Sequence, residues 1–181
     1  MDNDVVLQFI WEQAEGARYV FSVCTGALLC GAAGLLRGAR TTTHWSAFRL
    51  LGHFGAIPVN SLVVVDEKHV SAAGVTAGID GALTVAALMR NERAAQQIQL
   101  SNEYAPAPPF NSGTPETAPP EVLDAARASV RQMTEARLVT ARRISTRLGI
   151  KSLFETASEL ANLSALLGSE LAPYIPIGCA V

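Results

Sequence analysis

The distribution of proline limits this chain more than any other feature. One proline, Pro58, occurs in the first 105 residues, and six then fall between Pro106 and Pro120 in the run APAPPFNSGTPETAPP. Proline fixes φ and lacks the amide donor, so a run of this density continues neither a helix nor a central strand. The stretch before it is a packed body, and the run itself is a connecting loop. Pro119-Pro120-Glu121 then suits the start of a long helix, because proline is tolerated in a first turn whose amides have no intrahelical acceptor.

Upstream of the loop, helical and strand periods alternate. Asn3 or Asp4 is placed to cap a helix whose apolar Val5, Val6, Phe9, Ile10 and Ala14 keep helical spacing up to Gly16. RYVFSV is a β-branched and aromatic run expected to form a buried strand, and TGALLCGAAGLL has helix length, ending at Gly38. Thr41, Thr42 and Thr43 predict a short strand, Trp45, Phe48, Leu51 and Phe54 one face of a helix, and LVVV at 62–65 a further strand. Asp66-Glu67-Lys68 turns the chain into HVSAA, its hairpin partner. Gly74 to Gly78 open another helix with Ile79, Leu83, Ala86 and Ala87 inward, and Asn91 caps a short helix through Ala95 and Ile98. This alternation predicts an α/β fold around a mostly parallel sheet. Beyond the loop, Val122, Ala126, Val130, Met133, Leu138, Ala141, Ile144 and Leu148 keep helical spacing to Gly149, and Leu153 to Leu171 predict one more amphipathic helix.

With 49% hydrophobic and 17% charged residues among 181, most of the chain is folded rather than disordered. Fourteen Lys+Arg against sixteen Asp+Glu leave a formal charge of −2, without the broad positive field of a nonspecific nucleic-acid binder. Cys24, Cys30 and Cys179 are an odd set without metal-ligand spacing, which argues against a disulfide scaffold or a metal site and for a reducing cytoplasm. Tyr19 to Leu36 is 18 residues without a charge, but Gly26, Gly31, Gly34, Ser22 and Thr25 dilute it, so no membrane span is expected. Asp2, Asp4 and Glu12 stand where a signal peptide needs basic residues.

Cys24 carries the chemistry of this sequence, because V-C-T-G-A places it where a hydrophobic strand turns directly into a glycine-containing helix. Such an elbow exposes the side chain and aims the first helical amides at the same space. The positive end of the helix dipole favours thiolate, and a cysteine so placed titrates in a range of roughly 3.5–7.5 rather than near 8.5. The amides of Thr25 or Gly26 are positioned to stabilise negative charge on a substrate atom. The competing reading of Cys24 is a small buried hydrophobe, the reading given to Cys30 inside the helix. Gly74-Val75-Thr76-Ala77-Gly78 is a second strand-to-helix junction, of the kind that gathers at the carboxyl edge of a parallel sheet where ligands bind. Among the histidines, His53 and His69 read as surface or capping residues, and His44 is open as a base.

SVCTGALLCGAAGLL, TTTHW, GAIPV, GVTAGIDGAL and EYAPAPPFNSGTPETAP, in that order, resemble the isonitrile (isocyanide) hydratases of the ThiJ/PfpI group, within the class I glutamine-amidotransferase-like superfamily. The resemblance covers residues 1 to about 150 and leaves 151–181 outside it as a helical tail. It implies a flavodoxin-like α/β sandwich, a homodimer, a small-molecule substrate, and hydration of an isonitrile to an N-substituted formamide without metal or organic cofactor. Cys24 matches the nucleophile that attacks the terminal isonitrile carbon. Thr25 matches the residue after it, which is histidine in protease-like relatives, and Val75 and Thr76 match the pocket-lining turn. The resemblance also implies that the chain starts after the family's first strands, which supply an acid/base aspartate and a Gly-Gly oxyanion turn. Asp66 and Asp80 do not occupy that aspartate's position, so weak activity or none is expected of the chain.

Two other classes of function are compatible with the same residues. The α/β domain also resembles the N-terminal, ligand-sensing half of certain transcription activators, and RRISTRLGIKSLFETASEL places a Leu-Gly-Ile turn between two helical stretches with six arginines from Arg127 to Arg147. That stretch is too short for a full recognition domain and reads as a solvated helix face, so no nucleic-acid partner is expected. The third class is a non-catalytic remnant that dimerises.

Overall fold

The computed structural model describes residues 1–151. The helix expected from Leu153 to Leu171, and Cys179, lie outside the described residues. Helix α1 (Asp4–Gly16) starts where Asn3 accepts the amide of Val6 at 3.2 Å, satisfying one orphan donor of the first turn. Its buried positions are Leu7 and Ala14, whereas Val5 is 80% and Phe9 60% exposed. Val5-Val6-Leu7 wraps more than one side of the helix, and spacing alone does not choose among them; the Leu7–Ala14 seam does the packing.

Strand β1 (Val20–Val23) leads into helix α2 (Gly26–Ala32). The uncharged stretch from Tyr19 is thus divided between a strand and a helix, and among the described residues no helix is long and apolar enough to cross a membrane. Helix α2 stops short of the expected Gly38 because Gly34 takes φ 84°, a left-handed turn that ends helical hydrogen bonding. Strand β2 (Arg40–Thr41) pairs in parallel with β3 (Ile57–Pro58), and between them Trp45–Phe54 forms 3-10 turns where an α-helix was expected. The buried side of this segment is Ala47, Leu50, Leu51 and Phe54.

Strands β4 (Val63–Asp66) and β5 (His69–Ala72) are the expected antiparallel hairpin, and β5 also pairs in parallel with β1, giving the order β1-β5-β4. The fold is α/β as expected, but its sheets are small and mixed rather than mostly parallel. Glu67 at φ 51° closes a turn too tight for a crossover, and that turn forces β4 to run antiparallel.

Helix α3 (Ala77–Met89) lies against β1 and β5 through glycine: a Cβ on Gly81 would sit 2.6 Å from the Phe21 ring, and one on Gly78 2.9 Å from Val23. Ala77 and Gly81 are its buried residues, and Ile79, expected inward, is 44% exposed. The close stripe is made of the smallest residues, which a hydrophobic pattern does not register. Helix α4 (Glu92–Ser101) is capped by Asn91, which accepts from Ala94 at 2.9 Å.

Helix α5 (Pro120–Arg147) crosses the 3-10 segment with Ala141 and Ile144 buried. Arg147 and Arg143 reach Asp4 and Asp2, joining this helix to the start of the chain. The core therefore gathers Leu28, Leu51, Phe54, Ala141 and Ile144 around α2. Its tightest point is Gly31, where an added Cβ would lie 2.5 Å from Phe54. Gly31→Ala is expected to cost about 1–3 kcal/mol as overpacking, read as a lower urea midpoint. Gly16→Ala, where the added carbon meets nothing within 4 Å, leaves the midpoint unchanged or raises it.

Candidate active site

The turn from β1 into α2 is built on one residue. Cys24 has φ 56°, in the left-handed region where a side chain costs of order 1–3 kcal/mol. The cost is met by pinning both of its backbone groups. Its amide donates to Ala72 O at 2.9 Å, one step past the parallel register Val23↔Ala72, and its carbonyl accepts from Thr43 Oγ1 at 2.7 Å. The Cys24 side chain is half-buried.

Thr25 caps α2 without a side-chain bond. Ala27 and Leu28 turn their amides back to the carbonyls of Cys24 and Thr25 at 3.4 and 3.1 Å. The amides of Thr25 and Gly26 are left without an acceptor among the described residues, beside the thiol. The register also sets Ala73 next to Cys24, so Gly74, Val75 and Thr76 lie on the same sheet edge. Val75 is 78% exposed there, and Thr76 leads into α3.

A third loop reaches the edge through Thr42, whose amide donates to the buried Ser71 Oγ at 3.0 Å, and through Thr43. His44 follows, with Nδ1 2.8 Å from Ser46 Oγ and its ring against Trp45. Burial, and then the positive charge of Arg137, hold the His44 pKa below its ordinary 6.5. His69, half-buried in the hairpin, is also lowered, first by burial and then by Lys68. His53, expected at the surface, is buried in the 3-10 segment. Cys30 is buried, as read, and burial pushes its thiol pKa up.

The carboxylates of the motifs are occupied elsewhere. Asp80 accepts from Tyr104 Oη at 3.0 Å, and Asp66 accepts the Arg40 amide at 2.8 Å. Among the described residues no cluster of three or more His, Cys, Asp or Glu is arranged to hold a metal ion.

A cavity of about 420 Å³ adjoins the elbow. Thr25 and Gly26 form one wall, Leu28 and Leu29 continue it, and Met133, Ala136, Arg137 and Thr140 of α5 close the opposite side. Met1 and Asp2 complete the lining. The structure thus brings Thr25 and Gly26 into the cavity, while Cys24, Gly74, Val75 and Thr76 do not line it. Sequence reasoning missed Thr43, placed in a strand, and Arg137 and Thr140, absorbed into a solvated helix face. Their signal was the i, i+4, i+7 spacing of Met133, Arg137 and Thr140, which mixes apolar and polar side chains on one face.

Known proteins resemble this chain in sequence and fold. The DJ-1/PfpI family model matches residues 1–88. The chain is 48% identical over 151 residues to the isonitrile hydratase of Pseudomonas putida, covering 83% of this chain and 66% of that protein. A solved THiJ/PfpI family protein from Pseudomonas syringae superimposes with a TM-score of 0.73 at 40% identity, over 79% of this chain and 57% of that one. A DJ-1 superfamily protein of Salmonella typhimurium, at TM-score 0.50 and 23% identity over 57% and 56% of the two chains, shares the fold. The chain therefore spans less than two thirds of the length of the first two relatives.

Two measurements test the geometry. Cys24→Gly is expected to exceed Cys24→Ala in stability by about 1–2 kcal/mol, the cost of a Cβ in the left-handed region, read from urea midpoints; equal midpoints contradict a strained elbow. The His44 ring is expected to titrate below 6.5 by NMR. Because the folded state takes up this proton later than the unfolded chain, the His44 contribution leaves stability undiminished above 6.5, erodes it as pH falls toward the lowered value, and flattens below that. Arg137→Gln raises the His44 midpoint while leaving that of His69 in place.

Proposed function

The chain belongs to the DJ-1/PfpI family, and from that premise we propose that it is a cysteine-dependent hydratase converting an isonitrile to an N-substituted formamide, with Cys24 as nucleophile. The observation that carries this reading is the φ of 56° at Cys24, on a strand-to-helix turn whose next two amides have no acceptor among the described residues, in a chain 48% identical to an isonitrile hydratase. The terminal carbon of an isonitrile is electrophilic. Sulfur bonds to it, the carbon takes up a proton, and the product is a thioimidate, RS–CH=N–R′. Water then adds to that carbon, the C–S bond breaks, and the thiol leaves with a proton as the formamide HC(=O)–NH–R′ is released. Hydrogen and oxygen balance with one water consumed and the cysteine restored.

The residues divide the work by position. The amides of Thr25 and Gly26 face the space where charge develops and stabilise it without reorganisation. Gly74, Val75 and Thr76 form the neighbouring wall of the same edge. A carbon-directed acid is not supplied by Asp80 or Asp66, whose oxygens accept from Tyr104 and Arg40. Lacking it forgoes the roughly 10²–10⁴-fold that a positioned acid contributes, so slow turnover is part of the proposal. A homodimer belongs to the same reading, and the outward Val5 and Phe9 of α1 supply apolar surface for it. So does a cytoplasmic setting, which keeps Cys24 reduced.

The purified chain, incubated with an alkyl isonitrile and followed by proton NMR, is expected to release the formamide slowly but above the uncatalysed rate. Cys24→Ala reduces the signal to background and Cys30→Ala leaves it. Equal formamide from the chain and Cys24→Ala rules the reading out.

A further inference from the structure

Helix α5 carries six arginines between Arg127 and Arg147, and the structure assigns them different circumstances. Arg127 pairs with Asp124, Arg143 with Asp2 and Arg147 with Asp4. Arg137 has no ion pair among the described residues, yet it is the arginine that lines the cavity next to the elbow. Asp2 is the one acidic side chain on that lining, and Arg143 already engages it. A guanidinium on a concave wall whose one acidic side chain is engaged elsewhere is a receptor for an anion brought in from solution.

We propose that Arg137 and Thr140 bind the carboxylate of a small organic ligand whose apolar part lies on Leu28, Leu29 and Met133. Resting on the hydratase reading above, this makes isonitriles that carry a carboxylate the substrates of Cys24. The spacing fits: Met133 and Thr140 stand four residues before and three after Arg137, on one face of α5. The chemistry fits as well. A guanidinium offers two parallel N–H donors to the two oxygens of a carboxylate, and a threonine hydroxyl one turn on adds a third donor. A volume of about 420 Å³ suits a small molecule rather than a peptide. The charge also acts toward the catalytic edge, since it is felt by His44, the neighbour of the threonine that holds the Cys24 carbonyl. An anion seated on Arg137 therefore shares its cavity with Thr25 and Gly26, the two residues that follow Cys24.

Alkylation of Cys24 by iodoacetate and iodoacetamide separates charge recognition from thiol reactivity, because both reagents consume the same thiolate and their rate ratio cancels its abundance. The iodoacetate-to-iodoacetamide ratio at Cys24 is expected to fall by about threefold in Arg137→Gln, the scale of one charge at short range in a partly hydrated site. It holds in Arg137→Lys to the extent that charge alone suffices, and it holds in Arg142→Gln, which removes the same charge from an exposed position on the helix. An equal fall in the Arg137 and Arg142 variants, or no fall in either, overturns the anion site. In the same assay isocyanoacetate is expected to protect Cys24 at lower concentration than its ethyl ester, and Arg137→Gln to abolish the difference. If the ratio responds to Arg137 but neither isonitrile protects, the anion site stands and the hydratase reading fails. If both isonitriles protect equally and the ratio ignores Arg137, the hydratase reading stands and this proposal fails.

Discussion

The left-handed backbone of Cys24 is the constraint on which the rest of the site depends. No side chain prefers that conformation, so it persists only because two neighbours over-determine it: the Ala72 carbonyl takes the Cys24 amide, and the Thr43 hydroxyl takes the Cys24 carbonyl. Each bond comes from a different segment. The first needs β1 and β5 in parallel register, and the second needs the loop after β2 to reach the same edge. Thr42 in turn is tied to Ser71 of β5, so the strand that fixes the elbow also fixes the loop that completes it. A shift of one residue in the β1–β5 pairing would remove the acceptor for Cys24 and turn Val23 to the other face.

Glycine sets how closely the supporting helices approach. Gly78 and Gly81 let α3 rest on Val23 and Phe21, which holds the start of α3, and therefore Gly74 to Thr76, against the end of β1. Gly31 lets Phe54 fill the far side of α2. The helix that presents the Thr25 and Gly26 amides is thus braced on its opposite side by an aromatic ring with no solvent exposure. These contacts act on the site by fixing where α2 begins, and none of them touches a substrate.

This division explains what was readable in the sequence. The elbow was legible because V-C-T-G-A combines a β-branched run with an immediate helix start, and the β4–β5 hairpin because two such runs flank a short polar turn. Caps at Asn3 and Asn91 were legible from side-chain chemistry alone. The small size of the sheets was not, since which strands pair is set by tertiary contacts and not by hydrophobic period. The place of Ile79 on α3 was misread for a related reason: where apolar residues cover most of a helix, burial is decided by which small residue allows close approach. Arg137 stayed hidden among five other arginines because composition does not distinguish a paired cation from an unpaired one.

The electrostatics of the edge follow from the same placements. Its fixed partial charges are the amides of Thr25 and Gly26, and on the adjoining cavity the full charges are Arg137 and Asp2, the latter paired with Arg143. His44, the nearest titratable ring on the third loop, is held toward its neutral form by burial and by that same arginine. The carboxylates that the motifs offer are drawn away, Asp80 to Tyr104 and Asp66 to the Arg40 amide. The described residues therefore place amide donors directly after Cys24 and a guanidinium on the adjoining cavity wall, with Asp66 and Asp80 engaged elsewhere. Such an environment favours an incoming carboxylate, and in the proposed hydratase reading it leaves protonation of carbon as the step with the least support. In that reading the slow step is proton transfer to carbon, while capture of a carboxylate-bearing substrate draws on the Arg137 charge.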